Sequence, residues 1–419
     1  MKKALAYIDK HKKQIFDLAD VLWTNPELGY KEFKTKKILT DYLKSNGFTI
    51  ENECVETAFT VSLGSGHPHI GLVAEMDALP TLGQKHANKE DLAAHSCGHF
   101  SQCAIMCAAI TALKEENFKG KITLFFTPAE EYTDIAYRRQ LIKQGRINYV
   151  GGKINLLEKG IFDDTDLIIH CHAMSEGPYD FSVNSNLAGF IYKEITFLGK
   201  AAHAAVTPHL GVNALNACTL FLDAVGMLRE TFREQDSIRF HGFISNGGQT
   251  VNSIPEKVVY ECYVRALKQE PLLKTAKMID EAAIHSAKAI GARARIKNSP
   301  GYLPLIPDPI ISDTIFKVMH DYAEDARIKN GEDSMAAGDI GDVSVFKPTV
   351  QFGYGGFSGA PHSKLFEVKD PELVFIKTAK VVVSSVLELL DHPETVKKIK
   401  ADFKPRMSKQ EYQNYIDQK

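Results

Sequence analysis

Apolar positions recur every three to four residues along 3–22, 32–46 and 101–116, which predicts amphipathic helices. Between and after them lie three short apolar runs, HIGLVAEMDALP (69–80), KITLFFTPAEE (121–131) and DLIIHCHA (166–173). These runs lack strict alternation, as strands buried on both faces do. The pattern predicts an α/β domain, a mostly parallel sheet covered by helices.

A different order begins near residue 188. GFIYKEITFLGKAAHAA reads as a strand, NALNACTLFLDAVGMLRETF as a helix, SIRFHGFISNGG and EKVVYECYVRAL as two strands, EPLLKTAKMIDEAAIHSAKAIG as a helix and ARARIKN as a final strand. This is the βαββαβ order of a ferredoxin-like α+β unit. NSPGYLPLIPDP closes it, and further helices flanking TVQFGYGG return to the character of the first section. The expected organisation is therefore 1–187 with 300–396 as one domain, 188–299 as an insertion, and 397–419 as a tail of surface helix or disorder.

Composition narrows the functional classes. A chain of 419 residues with 44% hydrophobic content exceeds what one core usually supports, in keeping with two domains. A net charge of −2 offers no broad basic surface for nucleic acid or anionic lipid. The N-terminal MKKALAYIDKHKKQIFDLADVLW keeps charges throughout and reads as a helix rather than an export signal. No uncharged apolar run reaches the roughly 20 residues a bilayer requires, so neither membrane nor nucleic acid is an expected partner. Seven irregularly spaced cysteines suit reduced thiols and a cytoplasmic location. Cys103 and Cys107, on one helix face with Met106, Ile110 and Leu113, are expected to fill the core.

The candidate chemistry gathers at one edge. Asp77, Glu130, Glu131 and His172 follow the apolar strands at their carboxyl ends, and His362 follows TVQFGYGGFSGAPH, where loops of an open α/β sheet converge on ligands. HSCGHF (95–100) leads into the helix at 101–116, so Cys97 and His99 reach the same edge. On a helix, positions i and i+2 diverge by about 200°, so this pair shares one centre only from irregular backbone, which Gly98 permits. Thiolate, imidazole and carboxylate donors suit Zn²⁺, with Mn²⁺, Co²⁺ or Ni²⁺ as alternatives. Five candidate ligands (Cys97, His99, Glu131, His172 and His362) exceed the usual complement of one open catalytic ion, so two divalent ions are expected. Of the carboxylate pair, Glu131 is the expected ligand and Glu130 the base that takes a proton from an attacking water.

NPELGYKE (25–32), AEMDALP (74–80), HSCGH (95–99), PAEE (128–131), GKAAHAAVTPHLGVNAL (199–215), NSIPEKVVYECYVRA (252–266) and PHS (361–363) occur in the order found in metallopeptidases of the aminoacylase and aminobenzoyl-glutamate hydrolase type. The chain resembles that family from about residue 10 to 395. The resemblance implies a dinuclear amidohydrolase with a catalytic domain and an inserted lid or dimerisation domain, acting as a homodimer on an N-acyl amino acid, small dipeptide or related conjugate. By motif, Cys97, His99, Glu131, His172 and His362 fall on the family's metal ligands, Glu130 on its general base and Asp77 on the supporting carboxylate. His203 matches a lid histidine that stabilises the oxyanion in a partner's site, and Asn252 a lid position near substrate.

Three departures stand out. Phe100 replaces the Asp or Asn common after C-G-H, Gln102 replaces a common histidine, and YTDIAYRRQLIKQGRINYVGGK after the Glu pair differs from the usual glycine-rich continuation. His170, two residues before His172 on one strand face, competes with it as a ligand. Phe100 also leaves open a catalytically impaired relative that binds ligands or regulates. A thiol hydrolase using Cys97 and His99 without metal would keep its activity in chelator.

Overall fold

The structure, a computed structural model, describes residues 2–417, which fold into two compact units. The first contains the residues up to Asn186, with Ile306–Glu332 and Asp342–Arg406; the second contains Leu187–Leu305, Asp333–Gly341 and the residues from Met407 onward.

The first unit is built on an eight-stranded sheet. Its strands run across the sheet as Glu51–Cys54, Ala58–Ser65, Gly120–Thr127, His69–Glu75, Leu167–Ala173, Thr349–Tyr354, Phe181–Val183 and Ile328–Asn330. The four central strands, including the three apolar runs, are parallel. The flanks are partly antiparallel: Ala58–Ser65 pairs that way with Gly120–Thr127, and Phe181–Val183 with Thr349–Tyr354. The sheet is thus mixed at its edges. Glu51–Cys54 and Ala58–Ser65, also antiparallel, join through a tight turn, whereas the other antiparallel neighbours are reached through intervening strands and helices.

Helices cover the sheet. In the helix His99–Leu113 every residue is buried, Cys103, Cys107, Met106, Ile110 and Leu113 included, as an all-round apolar helix requires. Lys2–Lys10, Lys12–Trp23 and Thr378–Asp391 pack against it. The N-terminal helix divides at His11, whose ring stacks on Tyr7 at 3.8 Å and bonds the Tyr7 carbonyl through Nδ1 at 2.8 Å.

The second unit has the βαββαβ order of Gly189–Leu198, Ala214–Leu228, Arg239–Asn246, Lys257–Ala266, Gln269–Ala289 and Arg293–Pro300. All its strand pairs are antiparallel, and the sheet runs Arg239–Asn246, Lys257–Ala266, Gly189–Leu198, Arg293–Pro300, the ferredoxin-like arrangement. Beyond residue 392 the chain forms the helices Pro393–Asp402 and Lys409–Ile416, the latter opened by a Ser408–Glu411 capping box. Residues 418 and 419 of the expected tail lie outside the described residues. Among the described residues no helix is long and apolar enough to cross a membrane.

Candidate metal centre

Three strand ends in the first unit are brought level by their pairing. Met76 continues the His69–Glu75 strand and donates its N–H to the Thr127 carbonyl at 3.0 Å, so Asp77 and the turn Pro128–Glu131 emerge side by side. Ala129 in that turn has φ 54° and His362 φ 65°, left-handed values that non-glycine residues adopt at a cost. Ala129 borders the cluster described below, and His362 belongs to it.

Gly98, at φ 87°, forms the turn into the helix that starts at His99, two residues earlier than its apolar pattern suggests. A Cβ there would lie 2.6 Å from the Ala173 Cβ, so only glycine fits between the cysteine and the histidine. The His362 loop is tied to the same turn by its N–H, which donates to the Ser96 carbonyl at 2.8 Å.

These turns collect all five expected ligands in two groups that share Cys97: Cys97, His99 and His172 in one, Cys97, Glu131 and His362 in the other, with the donor atoms of each group within 4.8 Å of one another. Cys97 Sγ lies 3.6 Å from His172 Nε2 and 3.3 Å from His362 Nε2, and Glu131 Oε1 lies 3.2 Å from His362 Nε2.

Neighbouring groups aim the candidate ligands. Asp77 faces His99 Nδ1 with Oδ1 at 3.1 Å and its carbonyl oxygen at 2.9 Å, and its Oδ2 accepts from the Glu131 N–H at 2.9 Å. A proton on Nδ1 directed at Asp77 leaves the lone pair of His99 Nε2 for a cation. His172 Nδ1 likewise faces the Ala173 carbonyl at 2.8 Å, freeing Nε2. Glu130, almost fully buried, places Oε2 3.8 Å from His99 Nε2.

The donor set fits divalent cations. Glu75, Asp77, Glu130 and Glu131 are all buried in a small volume, an arrangement that needs positive charge to be tolerated. His99 Nε2 and Glu131 Oε1 are buried with no hydrogen-bond partner among the described residues, although Glu131 Oε1 sits near His362. Burial, then the Glu131 charge, pushes the Cys97 thiol well above its usual range, so a thiolate here calls for a cation beside it. Burial pulls His172 down to about 4, which keeps its imidazole neutral as a ligand must be. His362 is raised by the Glu131 carboxylate beside it.

His170 is placed elsewhere: its Nδ1 faces Gln351 Oε1 at 3.0 Å and its Nε2 faces Gln102 Oε1 at 3.1 Å. Phe100 turns away from the cluster and stacks on Trp23 at 5.2 Å, so its substitution feeds the apolar core rather than removing a site group. His203 and Asn252 belong to the second unit and are exposed. His203 Nδ1 accepts from the N–H groups of Ala205 and Val206 at 3.2 and 3.1 Å, a tautomer that puts the proton on Nε2.

Four buried charged residues around the cluster were not singled out from the sequence. Glu75 lies 3.3 Å from His99 Nε2 and forms a third potential ligand group with His99 and Glu130. Lys153 pairs with it. Glu32 accepts from the Ala129 N–H at 2.8 Å, and Arg138, fully buried, donates to the carbonyls of Ala129, Val150 and Glu131 at 3.3, 3.1 and 2.5 Å. The atypical stretch after the Glu pair thus supplies the clamp that holds the strained turn. Glu32 follows an ordinary helix-start pattern in NPELGYKE, and Arg138 looks like one more charge on a solvated helix, so neither carried a signal of burial.

The family model for Peptidase family M20/M25/M40 matches residues 71–387, and the chain belongs to this family of amide-bond hydrolases. Among curated proteins it is 25% identical over 450 residues to the Xaa-Arg dipeptidase of Homo sapiens, covering 98% of this chain and 93% of that protein. It is 29% identical over 318 residues to the N-acetyl-L-cysteine deacetylase of Bacillus subtilis (strain 168), covering 74% of this chain and 73% of that protein. A Bacillus subtilis crystal structure described as a dinuclear metal binding peptidase shares the fold with TM-score 0.73 at 19% identity, covering 92% of this chain and 99% of that one.

Proposed function

We propose that the protein is a dinuclear metal-dependent amidohydrolase that cleaves the amide bond of an N-acyl amino acid, small dipeptide or related conjugate. The observation that carries this is the pair of ligand groups joined at Cys97, beside a buried carboxylate that belongs to neither. Cys97, His99 and His172 would hold one ion, and Cys97, Glu131 and His362 the other; zinc, manganese, cobalt and nickel all suit these donors. When bound, such ions polarise a substrate carbonyl and bring the pKa of a water to about 7.

Glu130 Oε2 is the acceptor for the proton of the attacking water and hands it to the departing amine nitrogen. Asp77 keeps His99 in the Nδ1–H tautomer and anchors the Glu131 backbone. His203, with Nε2–H exposed, is the donor we assign to the developing oxyanion of a second protomer's site, and Asn252 we assign to substrate binding. A homodimer is supported by the edge strand Arg239–Asn246, which leaves Phe243 61% and Ile244 41% exposed in the second unit. Seven free cysteines favour a reducing, cytoplasmic setting.

The test is a panel of N-acyl amino acids and dipeptides assayed with Zn²⁺, Mn²⁺ or Co²⁺ added, and again after chelation. Hydrolysis that chelator abolishes and metal restores is expected. Hydrolysis that persists in chelator, or none across the metal-loaded panel, would contradict the proposal.

A further inference from the structure

Lys153 is 0% exposed, and its Nζ donates to Glu75 Oε1 at 2.7 Å. The other carboxylate oxygen, Oε2, accepts from Gln102 Nε2 at 2.9 Å and faces His99 Nε2 at 3.3 Å. His170 Nε2 stands 3.5 Å from Oε1, and the Glu75 N–H donates to Gln102 Oε1 at 3.1 Å. A buried ion pair of this kind is weak evidence for stability, because apolar residues of similar size often serve as well. Its position suggests another role.

His99 offers one nitrogen to a cation, Nε2, because Nδ1 faces Asp77. That single nitrogen belongs to two competing groups: Cys97 and His172 on one side, Glu75 and Glu130 on the other. An ion drawn to the second group would leave the thiolate and recruit Glu130, which then could not take a proton. The ammonium of Lys153 competes with any ion for Glu75.

Resting on the dinuclear assignment above, we propose that Lys153 is a positioning residue. By holding Glu75 it keeps the His99-bound ion on the Cys97 and His172 side and leaves Glu130 free as the base. Gln102 serves the same end, fixing Oε2 where an ion would otherwise pull it.

Co²⁺-loaded protein tests this through bound cobalt per chain and the thiolate-to-cobalt charge-transfer band, a direct report of ions on Cys97. Wild type should bind two equivalents with a full band. Lys153→Met should keep two equivalents yet lose roughly half the band, as one ion leaves the soft sulfur ligand for carboxylate oxygen. Adding Glu75→Gln to that variant should restore the band. A full band in folded Lys153→Met, or a double variant that stays at half intensity, would overturn the proposal. If Lys153→Met does not fold, Glu75→Gln alone and the double variant remain decisive: both should show the wild-type band and two ions, and a lost ion would mean that Glu75 is already a ligand. A wild-type protein with no charge-transfer band would instead defeat the Cys97-centred dinuclear assignment itself.

Discussion

The two halves of the cluster share Cys97 but differ in how they are held. On the inner side His99 is fully buried and both imidazoles are fixed through Nδ1, by Asp77 and by the Ala173 carbonyl. On the outer side His362 has a side chain 52% exposed, on a left-handed residue anchored by one backbone hydrogen bond to Ser96. Ligands whose far atoms are already bonded lose little freedom on binding an ion, whereas a half-exposed loop histidine must be ordered. On the proposed assignment the inner ion is therefore the tighter and the outer ion the more readily exchanged.

Substitutions separate the halves. Cys97→Ala removes the shared donor and should abolish binding of both ions, with hydrolysis falling to background; metal analysis and turnover check this together. Glu130→Gln should lower turnover by roughly 10² to 10⁴ while both ions stay, since only proton transfer is lost. His362→Ala should release one equivalent of metal and keep the inner one; loss of both, or of neither, would erase the distinction between the halves. Asp77→Asn should weaken metal binding by about 10- to 100-fold, the usual effect of disturbing a group that orients a ligand.

The smallest effect concerns the clamp under the Glu130 turn. Burial, then the Asp77 charge, raises Glu32 to about 8 from its ordinary 4.5. The folded state thus holds a proton that the unfolded state releases, so this group's contribution to stability is full below pH 4.5 and is lost as pH rises towards 8. Glu32→Gln should flatten the fall in melting temperature across that window. An unchanged slope in thermal unfolding would show that the burial has no such effect.

Much of this arrangement was legible in the chain. The central strands appeared as unbroken apolar runs, and polar residues at their carboxyl ends pointed to the candidate cluster, because a strand buried on both faces can carry chemistry only where it ends. The flanking strands Glu51–Cys54 and Phe181–Val183 were too short to print a period. The supports Glu75, Lys153, Arg138 and Glu32 were illegible for a different reason. For three of them burial depends on partners far along the chain, 78 residues away for Lys153 and Glu75 and 97 for Glu32 and Ala129, while Arg138 closes on carbonyls 7 to 12 residues away. An isolated Lys in GGKINLLEKG or Arg in YRRQLIK reads as solvent-facing until the fold brings its partner. Phe100 shows the reverse: its departure from the family pattern suggested a weakened site, yet its ring packs on Trp23.

The most direct test of the account is a crystal structure of the protein loaded with Zn²⁺ or Mn²⁺, read by anomalous scattering. Two peaks are predicted, both in bonding contact with Cys97 Sγ, one also with His99 and His172 and the other with Glu131 and His362. A single peak, or peaks that avoid Cys97, would contradict it.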